Sequence, residues 1–186
     1  AVAPESDDPP WCRAGAPAPW VDALNRFGWL RDLRDWADPG GALIYTNNSG
    51  QRVVLPDGDI LLVMSFGAKS TSRSAAGVRW SFNGRMLAIK QVGREMRHTA
   101  GRGLLEPSLV RWKEKFYVTL RAEDNRGYVA VSDAGLDFSD KQPWAWDSGQ
   151  PLTMSSTQQH WLAHADALFL EYTRKDASNV NVPRWR

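Results

Sequence analysis

The chain has 186 residues, 23 of them basic and 21 acidic, for a net charge of +2. That length sets an expectation of one domain, and the near balance of charge argues against a dedicated nucleic-acid binder, which carries a basic stripe. No apolar run reaches 18 residues, so no helical membrane span is expected, and Cys12, the single cysteine, excludes a disulfide within the chain.

Residues 1–19 are rich in Pro, Ala and Asp and read as a loop or tail. The opening Ala1-Val2-Ala3-Pro4-Glu5 is compatible with the start left by a removed signal peptide, which gives an expectation of a secreted or periplasmic protein. Trp20, Leu24, Phe27, Leu30, Leu33 and Trp36 recur at spacings of three and four, so an amphipathic helix is predicted over 20–36. Asp38-Pro39-Gly40-Gly41 ends it. The chain thus divides into a tail and helix over 1–41 and a β region over 42–186.

From Ala42 the pattern is that of strands. Leu43-Ile44-Tyr45-Thr46 is a short strand ending at Asn47-Asn48-Ser49-Gly50. A hairpin comes next over 51–63, turning at Pro56-Asp57-Gly58. Residues 67–77 read as a Gly/Ser/Lys-rich loop. Val78–Phe82 and Met86–Ile89 then read as strands joined by Asn83-Gly84, and 90–105 as polar, Gly-rich loop. A second hairpin occupies 106–121, with Tyr128–Val131 as a further strand of the same sheet. A third hairpin runs from Gln158 to Thr173.

The three hairpins share one design: a polar or charged start, a strand, an acidic turn and a second apolar strand. Aligning Ile60, Phe116 and Leu168 gives spacings of 56 and 52 residues. A period near fifty built from short strands predicts an all-β fold, a β-propeller of four-stranded antiparallel blades. The length holds three to four such blades, fewer than most closed rings, so an incomplete set is expected. The absence of an initial Met and the ending at Pro183-Arg184-Trp185-Arg186 point to a piece of a larger propeller.

In an antiparallel hairpin the first and last residues finish side by side. That expectation brings Glu106 to Arg121, Gln51 and Arg52 to Ser65, and Gln158, Gln159 and His160 to Thr173 and Arg174. Neighbouring blades would then line one rim with arginines, amides, a histidine and a carboxylate. Converging guanidiniums bind carboxylate or phosphate through paired N–H groups, and Glu106 is placed to orient one or to activate a nucleophile. The candidate site is therefore Glu106 with Arg121, Arg52, Gln158, Gln159, His160 and Arg174. Each has a plainer alternative: an interstrand ion pair for Glu106–Arg121, a solvated strand end for Arg52, backbone hydrogen bonding for Gln158-Gln159-His160. The ten tryptophans are core anchors or, in part, sugar-stacking platforms. Scattered histidines and one cysteine give no metal-ligand set. No phosphate loop, dinucleotide fingerprint or nucleophile elbow occurs, and no cofactor is expected.

Ser132-Asp133-Ala134-Gly135-Leu136-Asp137-Phe138 resembles the Asp-box of bacterial neuraminidase repeats, with Asp133, Gly135 and Phe138 in register. Its expected role is a turn in which Asp bonds backbone amides and Gly takes a positive φ, away from the active face. Glu106-Pro107-Ser108-Leu109-Val110 with Tyr117-Val118-Thr119-Leu120-Arg121 resembles an active-site blade of the sialidase (neuraminidase) superfamily. Arg126-Gly127-Tyr128-Val129, Trp144-Ala145-Trp146-Asp147, Thr157-Gln158-Gln159-His160-Trp161 and Tyr172-Thr173-Arg174-Lys175 fit the same impression. The resemblance implies hydrolysis of a glycosidic bond to an acidic sugar. Glu106 would be the glutamate that assists a tyrosine nucleophile, and Arg121 one of the arginines that clamp the sugar carboxylate. The family's Arg-Ile-Pro motif is missing, Arg52 before Val53-Val54 being a loose stand-in, and neither the tyrosine nor the acid aspartate is assigned. Two alternatives stay open: a non-catalytic glycan-binding propeller, and a propeller glycosidase that acts on neutral sugars through paired carboxylates.

Overall fold

The computed structural model describes residues 44–46, 50–67, 73–155 and 157–174. The tail and helix expected over 1–41 lie outside them. The described residues form an all-β structure of three antiparallel sheets. The first holds β1 (Ile44–Thr46), β2 (Val53–Val54), β3 (Ile60–Gly67), β4 (Ser74–Phe82) and β5 (Leu87–Val92). The second holds β6 (Leu105–Trp112), β7 (Lys115–Arg121), β8 (Gly127–Ser132) and β9 (Gln142–Pro143), in that order. The third is the pair β10 (His160–Ala163) and β11 (Leu168–Glu171). β1 and β2 share one edge of β3, so the first sheet is four ranks wide like the second. The arrangement is consistent with a few propeller-like blades, and no ring closes among the described residues.

The anchors aligned by the repeat fall at or next to the starts of corresponding strands: Ile60 opens β3, Leu168 opens β11, and Phe116 is the second residue of β7. The expected 67–77 loop is shorter than read, because β4 begins at Ser74. Ser74, Ala75, Ala76 and Gly77 are small enough to pass through a packed interior as strand, against Phe66 to Val63 of β3. Their low β-propensity concealed this, since packing overrides propensity in sheets.

Alternation along β3 and β7 sorts the side chains. Leu61 and Val63 of β3 meet Phe116, Val118 and Leu120 of β7, together with Leu104, Leu109 and Ala130. This is the main core, and it lies between the first two sheets. The opposite face of β3 packs Met64, with Ile60 and Leu62 partly buried, on Val78 and Trp80. Burying each large aliphatic or aromatic side chain stabilises the fold by about 1.5–3 kcal/mol.

The other face of β7 turns to the third sheet through polar links. Gln51 sits at their junction. Its amide nitrogen donates to Trp161 O (2.8 Å), and its Oε1 accepts from Trp161 N (2.6 Å) and Ser108 Oγ (3.0 Å). Trp161 Nε1 donates to Ser108 O at 2.9 Å, and the Trp161 ring lies against Tyr117 and Trp144.

The turn Ser132–Phe138 closes the end of β8 farthest from Arg121. Gly135 takes the expected positive φ (+77°). The turn amides are held differently from expectation: Ser132 Oγ accepts from Ala134 N (3.3 Å) and Gly135 N (2.9 Å). Asp133 faces solvent and pairs with Lys115 at 2.7 Å. Ser132 precedes the turn and points inward, so its hydroxyl reaches the amides that the exposed carboxylate does not.

Candidate functional site

Glu106 and Arg121 meet at one end of the second sheet. Leu105 pairs with Arg121, and the register then slips so that Ser108 pairs with Thr119. The bulge holds Glu106 and Pro107. Proline has no N–H to give to a ladder, so an interruption there costs no strand bond. Glu106 takes φ +45°, a left-handed conformation that L side chains seldom adopt. Bulges bend a strand and re-aim its side chains. Here the Glu106 carboxylate lies 2.7 Å from Arg121 Nη1, with each side chain only 14% exposed. Strain of about 1–3 kcal/mol held at an acidic residue is the kind of outlier that clusters at working sites.

Arg121 also lies 3.9 Å from Glu123. Glu123 in turn accepts from Arg102 Nε (2.8 Å), Nη2 (2.5 Å) and backbone N (3.1 Å). The Arg102 guanidinium holds the Glu123 carboxyl below its ordinary range. Arg73 joins the group from the start of β4. Its backbone N donates to Arg102 O at 2.8 Å, and Leu104 N donates to Arg73 O at 2.8 Å. Burial and then the neighbouring Arg102 lower the Arg73 pKa, while Glu123 and Glu106 oppose that shift. Arg73 Nε is buried with no hydrogen-bond partner among the described residues. Three guanidiniums and the carboxylates of Glu106 and Glu123 therefore share this end of the two sheets.

Sequence reasoning missed Arg73 and Arg102, which lie where irregular chain was expected. A signal was present in Gly101-Arg102-Gly103. Gly103 has φ +84°, and a Cβ there would collide with the Arg73 backbone; a Cβ on Gly101 would crowd the Glu123 carboxylate. Both glycines permit the close approach that gathers the charges.

The other candidates have different settings. Arg52 is exposed, and it is not beside Ser65. Thr46 takes the position opposite Ser65, while β2 meets β3 only at Leu61 and Ile60. The expectation failed because two short strands divide the edge that one was assumed to fill. Gln51, expected beside Ser65 too, instead clamps Trp161 to Ser108. In the third hairpin Thr173 and Arg174 meet residues ahead of the expected Gln158–His160: Met154 bridges Arg174, and Ser155 N donates to Thr173 O at 2.8 Å. Arg174 is exposed, and Gln158 and His160 are half-buried, with His160 opposite Glu171.

Gln159 is buried, with 2% of its surface exposed. Its Oε1 accepts from Thr119 Oγ1, whose oxygen accepts from Trp144 Nε1 at 3.1 Å. Its carboxamide lies against Gly127, the strand partner of Arg121, and a Cβ on Gly127 would collide with it. Gln159 thus buttresses the strand beside Arg121.

A further group missed from sequence is Tyr128, Asp124 and His98. Tyr128 Oη donates to Asp124 Oδ2 at 2.5 Å, and His98 Nε2 stands 3.2 Å from the same oxygen. Burial, with help from the Asp124 carboxylate, pushes the Tyr128 phenol up to about 12. A phenol held protonated in this way is a poor nucleophile. Tyr117 is packed between Trp112 and Trp161. Among the described residues no group of three or more His, Cys, Asp or Glu side chains is placed to hold a metal ion. No described helix is long and apolar enough to cross a membrane.

Comparison with protein-family models, with curated proteins and with solved structures gives no match for this chain.

Proposed function

We propose that the shared end of the first two sheets binds the carboxylate of an acidic sugar, in a sialidase-like β-propeller glycoside hydrolase. The observation that carries this reading is the convergence of Arg121 and Arg102, each paired with a glutamate, with Arg73 beside them. Guanidiniums held in fixed directions recognise a planar carboxylate through parallel N–H donors. A sugar carboxylate brought to this end would meet guanidiniums from two sheets. The strained carboxylate of Glu106 is the candidate for proton transfer to or from a nucleophile as the glycosidic bond is hydrolysed. No cofactor takes part in this reading. Secretion or a periplasmic location remains the expectation attached to it.

The alternative of glycan binding without hydrolysis is favoured by one observation, the commitment of Tyr128 to Asp124. One pair of assays separates the two readings. Release of the fluorophore from a fluorogenic sialoside is measured for the wild type and Glu106→Gln, with calorimetric titration by sialic acid alongside. Hydrolysis that falls by about a hundredfold or more in Glu106→Gln, with binding retained, supports the enzyme. Binding without hydrolysis in either protein supports the binding module. Absence of both refutes the acidic-sugar reading.

A further inference from the structure

Five tryptophans lie among the described residues, and four have protein surroundings. Trp80 and Trp161 are buried in the packing between strands. Trp112 donates to His164 O at 2.7 Å. Trp144 donates to Thr119 and meets Trp161 edge to face at 5.6 Å. Trp146 differs from these, with 56% of its surface exposed.

Its position is set by the ladder. Arg121 pairs with Gly127, and Trp144 N donates to Gly127 O at 2.9 Å. Arg121, Gly127 and Trp144 are thus successive ranks across one end of the second sheet, about 10 Å from first to last. The chain runs from β9 through Trp144 and past the end of the sheet, so residues 145–151 project beyond the edge that carries Arg121. They do so as a closed hairpin. Leu152 N donates to Trp144 O (3.0 Å), Trp146 N to Gln150 O (2.8 Å), and Gly149 N to Trp146 O (2.9 Å). Ala145 pairs with Pro151 across it. The backbone under Trp146 is therefore fixed, and the indole is held out from a rigid support.

The neighbours of Trp146 identify its occupant. Asp147, Ser148 and Gln150 are all exposed. A lone indole among a carboxylate, a hydroxyl and an amide lacks the contiguous apolar area that a protein partner covers. It suits a ring with an apolar face and a hydroxylated edge. We infer that Trp146 is a stacking platform for a neutral pyranose of the glycan, the residue joined to the acidic sugar held near Arg121. This inference rests on the proposed function. Trp144, at the base of the Trp146 hairpin, lies about 10 Å from Arg121 by strand spacing, so a glycan of two or more rings running from Arg121 past the end of the sheet is directed towards that hairpin.

The test uses the full chain and three probes: sialic acid, lactose and sialyllactose. The indole N–H resonance of Trp146 is assigned by its loss in Trp146→Phe, and affinities are measured by calorimetry for the wild type, Trp146→Phe and Trp146→Ala. Sialyllactose and lactose are expected to shift the Trp146 resonance, and sialic acid to leave it in place. Trp146→Ala should weaken sialyllactose by about tenfold, the size of one aromatic anchor contact, and leave sialic acid within about twofold. Trp146→Phe should keep most of the affinity.

Binding of sialic acid together with an unmoved Trp146 resonance in sialyllactose, or an unaltered sialyllactose affinity in Trp146→Ala, overturns the platform and spares the carboxylate site. A lactose-induced shift without any binding of sialic acid overturns the carboxylate reading and keeps the platform. No response to any of the three probes overturns both.

Discussion

Two ionic groups occupy opposite ends of the paired sheets, and their difference separates support from function. At the turn of the first hairpin, Asp59 accepts from Arg79 Nε (2.6 Å) and Lys90 Nζ (2.7 Å), and Arg79 also pairs with Asp57. Two acids meet two bases there, and the charges close. At the far end Glu106 and Glu123 lie with Arg73, Arg102 and Arg121. The first group joins a turn, with Gly58 at φ +85°, to side chains of β4 and β5. The second is assembled by a bulge, a left-handed Glu106 and two glycines that admit close backbones. A closed set of ion pairs at a hairpin turn is what structure alone requires. A left-handed acidic residue among converging arginines is the kind of backbone outlier that marks a working site.

The largest expected effect comes from exchanging the cation at each end. Arg121→Met should reduce affinity for sialic acid by about tenfold to a hundredfold, the loss of a charged hydrogen-bonding pair. Arg79→Met should leave that affinity within about twofold and lower the thermal midpoint instead. Calorimetric titration and a melting curve for each variant check both halves. Equal losses of affinity in the two variants would dissolve the contrast.

Next is the acid limb of stability. The Lys90 hydrogen bond and then Arg79 hold the Asp59 pKa below its ordinary value despite burial, and Arg102 does the same for Glu123. A carboxyl depressed in the folded state contributes stability at neutral pH, and that contribution is lost as pH falls through the folded pKa. Stability against denaturant should therefore fall as pH drops below about 4. Asp59→Asn should flatten that decline. An unchanged slope would show that Asp59 is not ion-paired in solution.

The smallest effect concerns Tyr128. With a folded pKa of about 12, its phenol stays protonated while an unfolded tyrosine ionises near 10. Its contribution is intact below about pH 10 and is lost as pH rises towards the folded value. An ultraviolet titration should show a tyrosine that ionises late, absent in Tyr128→Phe and earlier in Asp124→Asn. Ionisation of all tyrosines together near pH 10 would contradict the buried Asp124 hydrogen bond.

The same contrast explains what could be read from sequence. The hairpins were legible because alternation and turn residues are local: β6 and β7 came out almost to the residue, and the meeting of Glu106 with Arg121 followed from hairpin geometry. The small residues before Val78 hid the first half of β4, since Ser, Ala and Gly carry no strand signal. Arg73 and Arg102 were hidden for a related reason. They are brought together by contacts between irregular segments, and spacing along the chain says nothing about such contacts. Arg52 was misplaced because the division of one sheet edge between β1 and β2 has no signature in either strand. The buried amide of Gln159 was singled out, but its role beside Gly127 depended on a neighbour far away in sequence.

The most direct test of the account is the response of the arginine side chains to sialic acid. In spectra of the Nε–Hε groups, resonances of Arg73, Arg102 and Arg121 should move on titration while that of Arg79 stays fixed. A shift at Arg79 equal to theirs, or stationary resonances at all four under saturating ligand, would contradict a carboxylate site at the Glu106 end.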